Sequence, residues 1–218
     1  MKKLTIGILA HVDSGKTTLT EALLYKTGEI RNLGRVDHKD AFLDTHELER
    51  LRGITIFAKQ AVMNINDTEI TLLDTPGHVD FSAETERTLS VLDYAILVIS
   101  GTDGVQNHTE TLWKLIQRYN IPAFIFINKT DIMGISHEQI MEQIQSRLGN
   151  KCIDFSGSNE SLNESLALCS EELMQKLLEN ETISNEDIIS AIYEKTAVPC
   201  FFSSALNLSG INVFLHGL

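Results

Sequence analysis

Four short apolar runs, each ending in a small polar motif, constrain this chain more than any other feature. Residues 4–10 lead into Ala10-His11-Val12-Asp13-Ser14-Gly15-Lys16-Thr17, and residues 68–73 lead into Asp74-Thr75-Pro76-Gly77-His78. Residues 123–127 lead into Asn128-Lys129-Thr130-Asp131, and residues 198–202 into Ser203-Ser204-Ala205-Leu206. Runs of this length and character read as strands. Helical patterns lie between them. The fold class is therefore α/β, with a mostly parallel central sheet flanked by helices on both faces.

The remaining segments fill in that frame. Helices are expected over residues 16–26 (ended by Gly28), 82–92, 106–119 and 137–148, and a strand over residues 94–99. Strands over residues 55–65 and 68–73 flank the turn signal Asn66-Asp67, so they read as a hairpin and place one antiparallel strand at the sheet edge. Residues 31–52 are polar and charge-rich with little periodicity, long for a loop in a compact domain and of the kind that carries function. Between residues 150 and 196 the pattern loosens. Helical spacing returns over residues 164–179 and 186–195, which reads as a small helical insertion before the last strand. A final helix begins near Ile211 and the sequence stops at Leu218, as expected of the N-terminal part of a longer protein whose C-terminal domains lie beyond.

Bulk properties narrow the function. The chain has 218 residues, 43% of them hydrophobic, enough for one sizeable domain with a full core. Its net charge of -12 repels nucleic acid through the average field, so direct DNA binding is not expected. Cys152, Cys169 and Cys200 are an odd, scattered set that fits neither a disulfide framework nor a zinc site. Reduced thiols in the cytoplasm are the expectation, with Cys200 a core residue. The apolar N-terminal run is short and enters the first motif directly, so it reads as a buried strand rather than a leader. No apolar run approaches membrane-spanning length, and a monomer is expected.

The first motif sits where a strand turns into a helix. There the backbone N–H groups of Asp13, Ser14, Gly15, Lys16, Thr17 and Thr18 can point at phosphates, and the helix dipole favours the anion. Gly15 permits close approach, Lys16 reaches the β- and γ-phosphates, and the Thr17 hydroxyl serves Mg²⁺. Ala10 stands where the strict pattern has glycine, which is tolerable at negative φ. Asp13 is a carboxylate in an anion-binding loop; it either faces solvent or holds a cation near the phosphates. In the second motif, Asp74 can hold Mg²⁺ through a water, and Gly77 can offer its N–H to the γ-phosphate. His78 lies beside the attacking water, as acceptor or as charge stabiliser. Thr55, in Arg52-Gly53-Ile54-Thr55-Ile56, would complete the metal shell only when the long loop is drawn in by a γ-phosphate.

The third motif reads the base. A buried Asp131 carboxylate accepts from guanine N1–H and N2–H₂ together, which adenine cannot offer, so an ATP-dependent reading is disfavoured. Asn128 can bond the purine edge and tie loops together, and the Lys129 stem can cover the ring. In the fourth motif, Ser204 and Ala205 present N–H groups to the guanine oxygen, with Leu206 closing the segment over the base. The substrate and product are then GTP and GDP.

With these residues in view, the chain resembles the GTP-binding domain of translational GTPases, relatives of elongation factor G within the P-loop NTPase fold. The resemblance rests on residues 10–18, 52–56, 74–78 and 128–131. The histidine after Asp74-Thr75-Pro76-Gly77 separates it from Ras-like signalling GTPases, which usually carry glutamine there. Residues 48–56, 89–92 with 95–100, 103–106 and 126–129 are most similar to the tetracycline-resistance ribosomal protection proteins. The resemblance covers nearly the whole chain and is weak over residues 150–196.

It implies a Mg²⁺-dependent GTPase whose His78 is activated by large-subunit RNA. The ribosome is then the partner, reached mainly through later domains of the full-length protein. It also implies that Asp13 helps hold a monovalent cation with the Gly53 backbone. Other translation factors of this fold, such as elongation factor G or a release-factor-type GTPase, and a nucleotide-gated switch with little hydrolysis, are the alternative readings.

Overall fold

The computed structural model describes residues 2–34, 59–75, 82–132, 134–179 and 182–218. A seven-stranded sheet runs through them in the order β2-β3-β1-β4-β5-β7-β6. Its strands are β1 (Lys2–Ala10), β2 (Lys59–Ile65), β3 (Thr68–Asp74), β4 (Tyr94–Ser100), β5 (Ala123–Asn128), β6 (Cys152–Asp154) and β7 (Val198–Phe202). All neighbouring pairs are parallel except β2 with β3, which meet across the two-residue turn at Asn66 and Asp67. Asn66 takes φ 50°, the left-handed geometry that Asn tolerates best after glycine. The antiparallel edge expected from the hairpin signal is therefore present. The expected strand over residues 55–65 is seen as β2, and residues 55–58 lie outside the described part.

The helices are α1 (Lys16–Lys26), α2 (Ser82–Leu89), α3 (Asn107–Arg118), α4 (His137–Leu148), α5 (Asn159–Ala167), α6 (Glu171–Leu178), α7 (Asn185–Tyr193) and α8 (Ile211–Gly217). Strand side chains alternate between two cores, as period two requires. Ile8, Ile96, Val98, Phe124 and Phe126 face α1 and α8, meeting Leu19, Leu23 and Phe214. Leu9, Leu97, Ile99, Ile125 and Ile127 face α3 and α4, meeting Leu112, Trp113, Ile140 and Ile144. The Trp113 indole N–H donates to the Leu148 carbonyl at 2.7 Å and ties α3 to the end of α4. Ser136 and Gln139 cap each other's backbone at the start of α4, which is why that helix begins where its spacing predicted.

Three elements depart from expectation. The helix over residues 82–92 ends at Leu89, and Val91 and Leu92 close tighter turns by donating to the carbonyls of Thr88 and Leu89. The spacing over residues 164–179 is broken at Leu168-Cys169-Ser170 into α5 and α6. Strand β6, with three residues, is too short to register as a period and lies inside the loosened stretch. Helices α5, α6 and α7 follow it and share a small core of Ile153, Leu166, Leu173, Ala191 and Ala197.

Cys152 and Cys200 are wholly buried, and burial pushes the Cys200 thiol well above its ordinary range; half-buried Cys169 is raised for the same reason. Thiol labelling near pH 8 is thus expected to modify Cys169 slowly and leave the other two untouched until denaturant is added. Rapid reaction of all three in the native chain would contradict the packing around β6 and β7. No helix among the described residues is long and apolar enough to cross a membrane.

Candidate functional site

Register places the four motifs, as far as they are described, on one edge. Ile8 of β1 pairs with Asp74 of β3, Ala10 with Val98, Ser100 of β4 with Asn128 of β5, and Ile127 with Phe202 of β7. In parallel strands these are all carboxyl ends, the side of an open α/β sheet where ligands lie. The first two motifs sit over the adjacent strands β1 and β3, and the base-reading motifs over β5 and β7. From β1 to β5 is two strand spacings, about 10 Å. Phosphates at one end and a purine at the other fit that span.

The phosphate loop turns sharply. Asp13 takes φ 62° and Gly15 φ 86°, and α1 starts directly after. A side chain at Gly15 would be strained by that φ and would also strike the Asn128 amide, so glycine is required twice over. Asp13 is exposed; Gly53, its partner in the cation reading, lies outside the described residues. Lys16 and Asp74 are buried, 7% and 0% exposed, and pair directly through the ammonium and Oδ1. The Thr17 hydroxyl lies 3.5 Å from Asp74 Oδ2. Thr75 locks this corner by donating its hydroxyl to the Ile8 carbonyl at 2.8 Å. A hydroxyl and a carboxylate here fit Mg²⁺, which takes few protein oxygens and keeps water and phosphate oxygens as its other ligands. Among the described residues no group of three or more His, Cys, Asp or Glu is gathered to hold a metal. Arg52, Thr55, Gly77 and His78 fall outside the described residues.

At the other end, Asn128 is 3% exposed and joins three motifs. Its amide nitrogen donates to the Ser14 carbonyl and its oxygen accepts from the Ala205 N–H, each at 2.9 Å. Its own carbonyl accepts from Gly101 N–H at 2.7 Å. The side chain thus ties the loops together, one of the two roles expected of Asn128. Lys129 takes φ 63°, and Thr130 N–H donates to the Ser203 carbonyl at 3.3 Å. Two details differ from expectation. The N–H groups of Ser204 and Ala205 are engaged inside the protein, by the Ser209 carbonyl and by Asn128. Among the described residues the next one along, Leu206 N–H, has no such partner and is the donor left for a carbonyl oxygen. Asp131 is exposed rather than buried, and its Oδ2 accepts from the Asn207 side-chain amide at 2.9 Å. Asn207 does not stand out in the sequence; one polar residue after the fourth motif is the only available signal.

Lys16, Asp74 and Asn128 thus lie along one sheet edge, with Lys16 paired to Asp74 and Asn128 bridging Ser14 and Ala205. The model of the elongation factor Tu GTP-binding domain matches residues 1–218. The chain belongs to that family. This GTP-binding domain is 44% identical over 193 residues to the tetracycline resistance protein TetP of Clostridium perfringens, covering 88% of the chain and 28% of TetP. It is 36% identical over 244 aligned positions to the oxytetracycline resistance protein of Streptomyces rimosus, covering 100% of the chain and 37% of that protein. Its backbone matches the crystal structure of ttk003000868 from Thermus thermophilus with a TM-score of 0.87 and 25% identity, over 98% of this chain and 39% of that one. The domain spans about a third of the length of the curated relatives it matches.

Proposed function

We propose that this domain hydrolyses GTP to GDP and phosphate within a ribosome-associated translational GTPase of the tetracycline-protection type. The convergence of Lys16, Thr17 and Asp74 at one end of the strand edge, and of Asn128 and Asp131 at the other, carries the reading. Lys16 and the loop N–H groups of residues 13–18 take up charge on the β- and γ-phosphates. Thr17 and Asp74, with Thr55, would hold Mg²⁺, which supplies further neutralisation of the phosphates. A water attacks the γ-phosphorus in line, the bond to the β-phosphate oxygen breaks, and GDP leaves. His78 positions that water, and the Gly77 N–H holds the γ-phosphate. Asp131 accepts from guanine N1–H and N2–H₂, Leu206 N–H serves the guanine oxygen, and the Lys129 stem covers the ring.

The names of TetP and the oxytetracycline resistance protein support the tetracycline reading. The ribosome is the proposed partner, through the full-length protein. We further propose a cytoplasmic monomer that contacts neither membrane nor DNA directly, with Asp13 and the Gly53 backbone holding a monovalent cation. The sequence supplies no strong arginine candidate for the γ-phosphate beyond Arg52, so intrinsic turnover should be slow, on the order of 10⁻³ s⁻¹.

The test is GTP turnover with and without ribosomes, in the full-length protein and in a His78→Ala variant. Stimulation by ribosomes that the variant loses is the expected result. Fast hydrolysis by the isolated domain, or an unimpaired variant, would refute the assignment of His78.

A further inference from the structure

We infer that Asn207 is a positioning residue for guanine recognition: it holds the Asp131 carboxylate in the one orientation that can take both guanine donors at once. The inference rests on the proposed base reading and deepens it. Asn128 fixes the start of the base-reading loop with two side-chain bonds, and Thr130 N–H fixes its middle on Ser203. Asp131, like Thr130 before it, is exposed, and its carboxylate is otherwise free to turn about its terminal torsion. Among the described residues, the side-chain bond that stops the turning comes from Asn207 Nδ2, 2.9 Å from Oδ2. A carboxylate only accepts, so it must be the NH₂ end of Asn207 that faces it.

Asn207 is itself held. Its N–H donates to Ser204 Oγ at 3.4 Å, and the loop around it is closed by paired bonds between Ser204 and Ser209 at 3.0 and 3.1 Å. The contact joins segments 76 residues apart. One donor leaves the second lone pair of Oδ2 and both of Oδ1 open, with the two oxygens facing the same way. Guanine needs both oxygens, one for N1–H and one for N2–H₂, and such a two-point contact fails if the carboxylate rotates. Hypoxanthine lacks the 2-amino group and needs only one oxygen, so it tolerates rotation.

That difference is the readout. GDP and IDP are competed against labelled GDP on the chain, on Asn207→Ala and on Asn207→Asp. In Asn207→Ala, GDP affinity is expected to fall about tenfold and IDP affinity by less than about threefold, so the preference for GDP narrows. Asn207→Asp sets a second carboxylate against Asp131. Its GDP loss should be larger and should ease with added salt. The ratio is taken within one variant, so a reduced folded fraction scales both nucleotides alike and leaves it readable. An unchanged ratio, or an equal fall for both nucleotides, would overturn the positioning role while the base reading stood. A wild-type chain with no preference for GDP over IDP would overturn both.

Discussion

Replacing Asp74 by alanine is expected to destabilise the chain by about 3–5 kcal/mol, because it leaves the buried Lys16 ammonium without its carboxylate. For a domain of this size that is a fall of about 10 °C in the thermal midpoint. The cost comes from leaving a buried ammonium less well neutralised rather than from the lost attraction, since a buried pair repays little beyond the desolvation of its two ions. Two companion measurements separate these contributions. The double variant Lys16→Met/Asp74→Leu removes both charges and should recover most of the stability while losing phosphate binding. Saturating GDP should offset part of the loss in Asp74→Ala, because phosphate oxygens give Lys16 a new anionic partner. A loss below about 1 kcal/mol in the single variant would mean that Lys16 finds water or another anion, and that the corner is wetter than its burial implies.

The second large effect is on selectivity. Asp131→Asn exchanges two acceptors for one acceptor and one donor. Guanine offers two donors on that edge, whereas xanthine offers N1–H and an acceptor oxygen. GTP affinity is expected to fall at least about a hundredfold, with XTP becoming the preferred nucleotide. Competition of labelled XTP and GTP on the purified variant reads this directly. Undiminished GTP binding would remove Asp131 from base recognition. The exposure of Asp131 does not weaken the expectation, because a bound purine would itself cover the carboxylate and make an unmatched donor or acceptor costly.

Much of this arrangement is legible in sequence because it is local. An apolar run followed by Gly15-Lys16-Thr17 dictates strand, turn and helix within a few residues, and α1 begins at Lys16 as the pattern requires. The bounds of α4 and β7 follow from a capping serine and from an uninterrupted apolar run. What stays hidden in sequence is non-local or too short to repeat. Strand β6 has three residues and gains its identity only by pairing with β7. The stacking of His137 on Phe202, 3.6 Å between ring centroids, joins the start of α4 to the end of β7 and has no counterpart in either segment alone. The bond from Asn207 to Asp131 is of the same kind. The engagement of Ser204 and Ala205 N–H groups also depends on partners elsewhere in the chain, so a motif that names the donors does not reveal which remain unspent.

In the proposed nucleotide seat, the side chain of Asn128 touches the cradle for the anionic tail and the clasp around the ring with the same amide, so neither half can shift alone. Reprogramming which nucleobase the protein accepts must therefore be done off that junction. On the proposed base reading, Asp131, which lies beyond it, is where the ring's identity would be rewritten while the grip on the triphosphate keeps its shape.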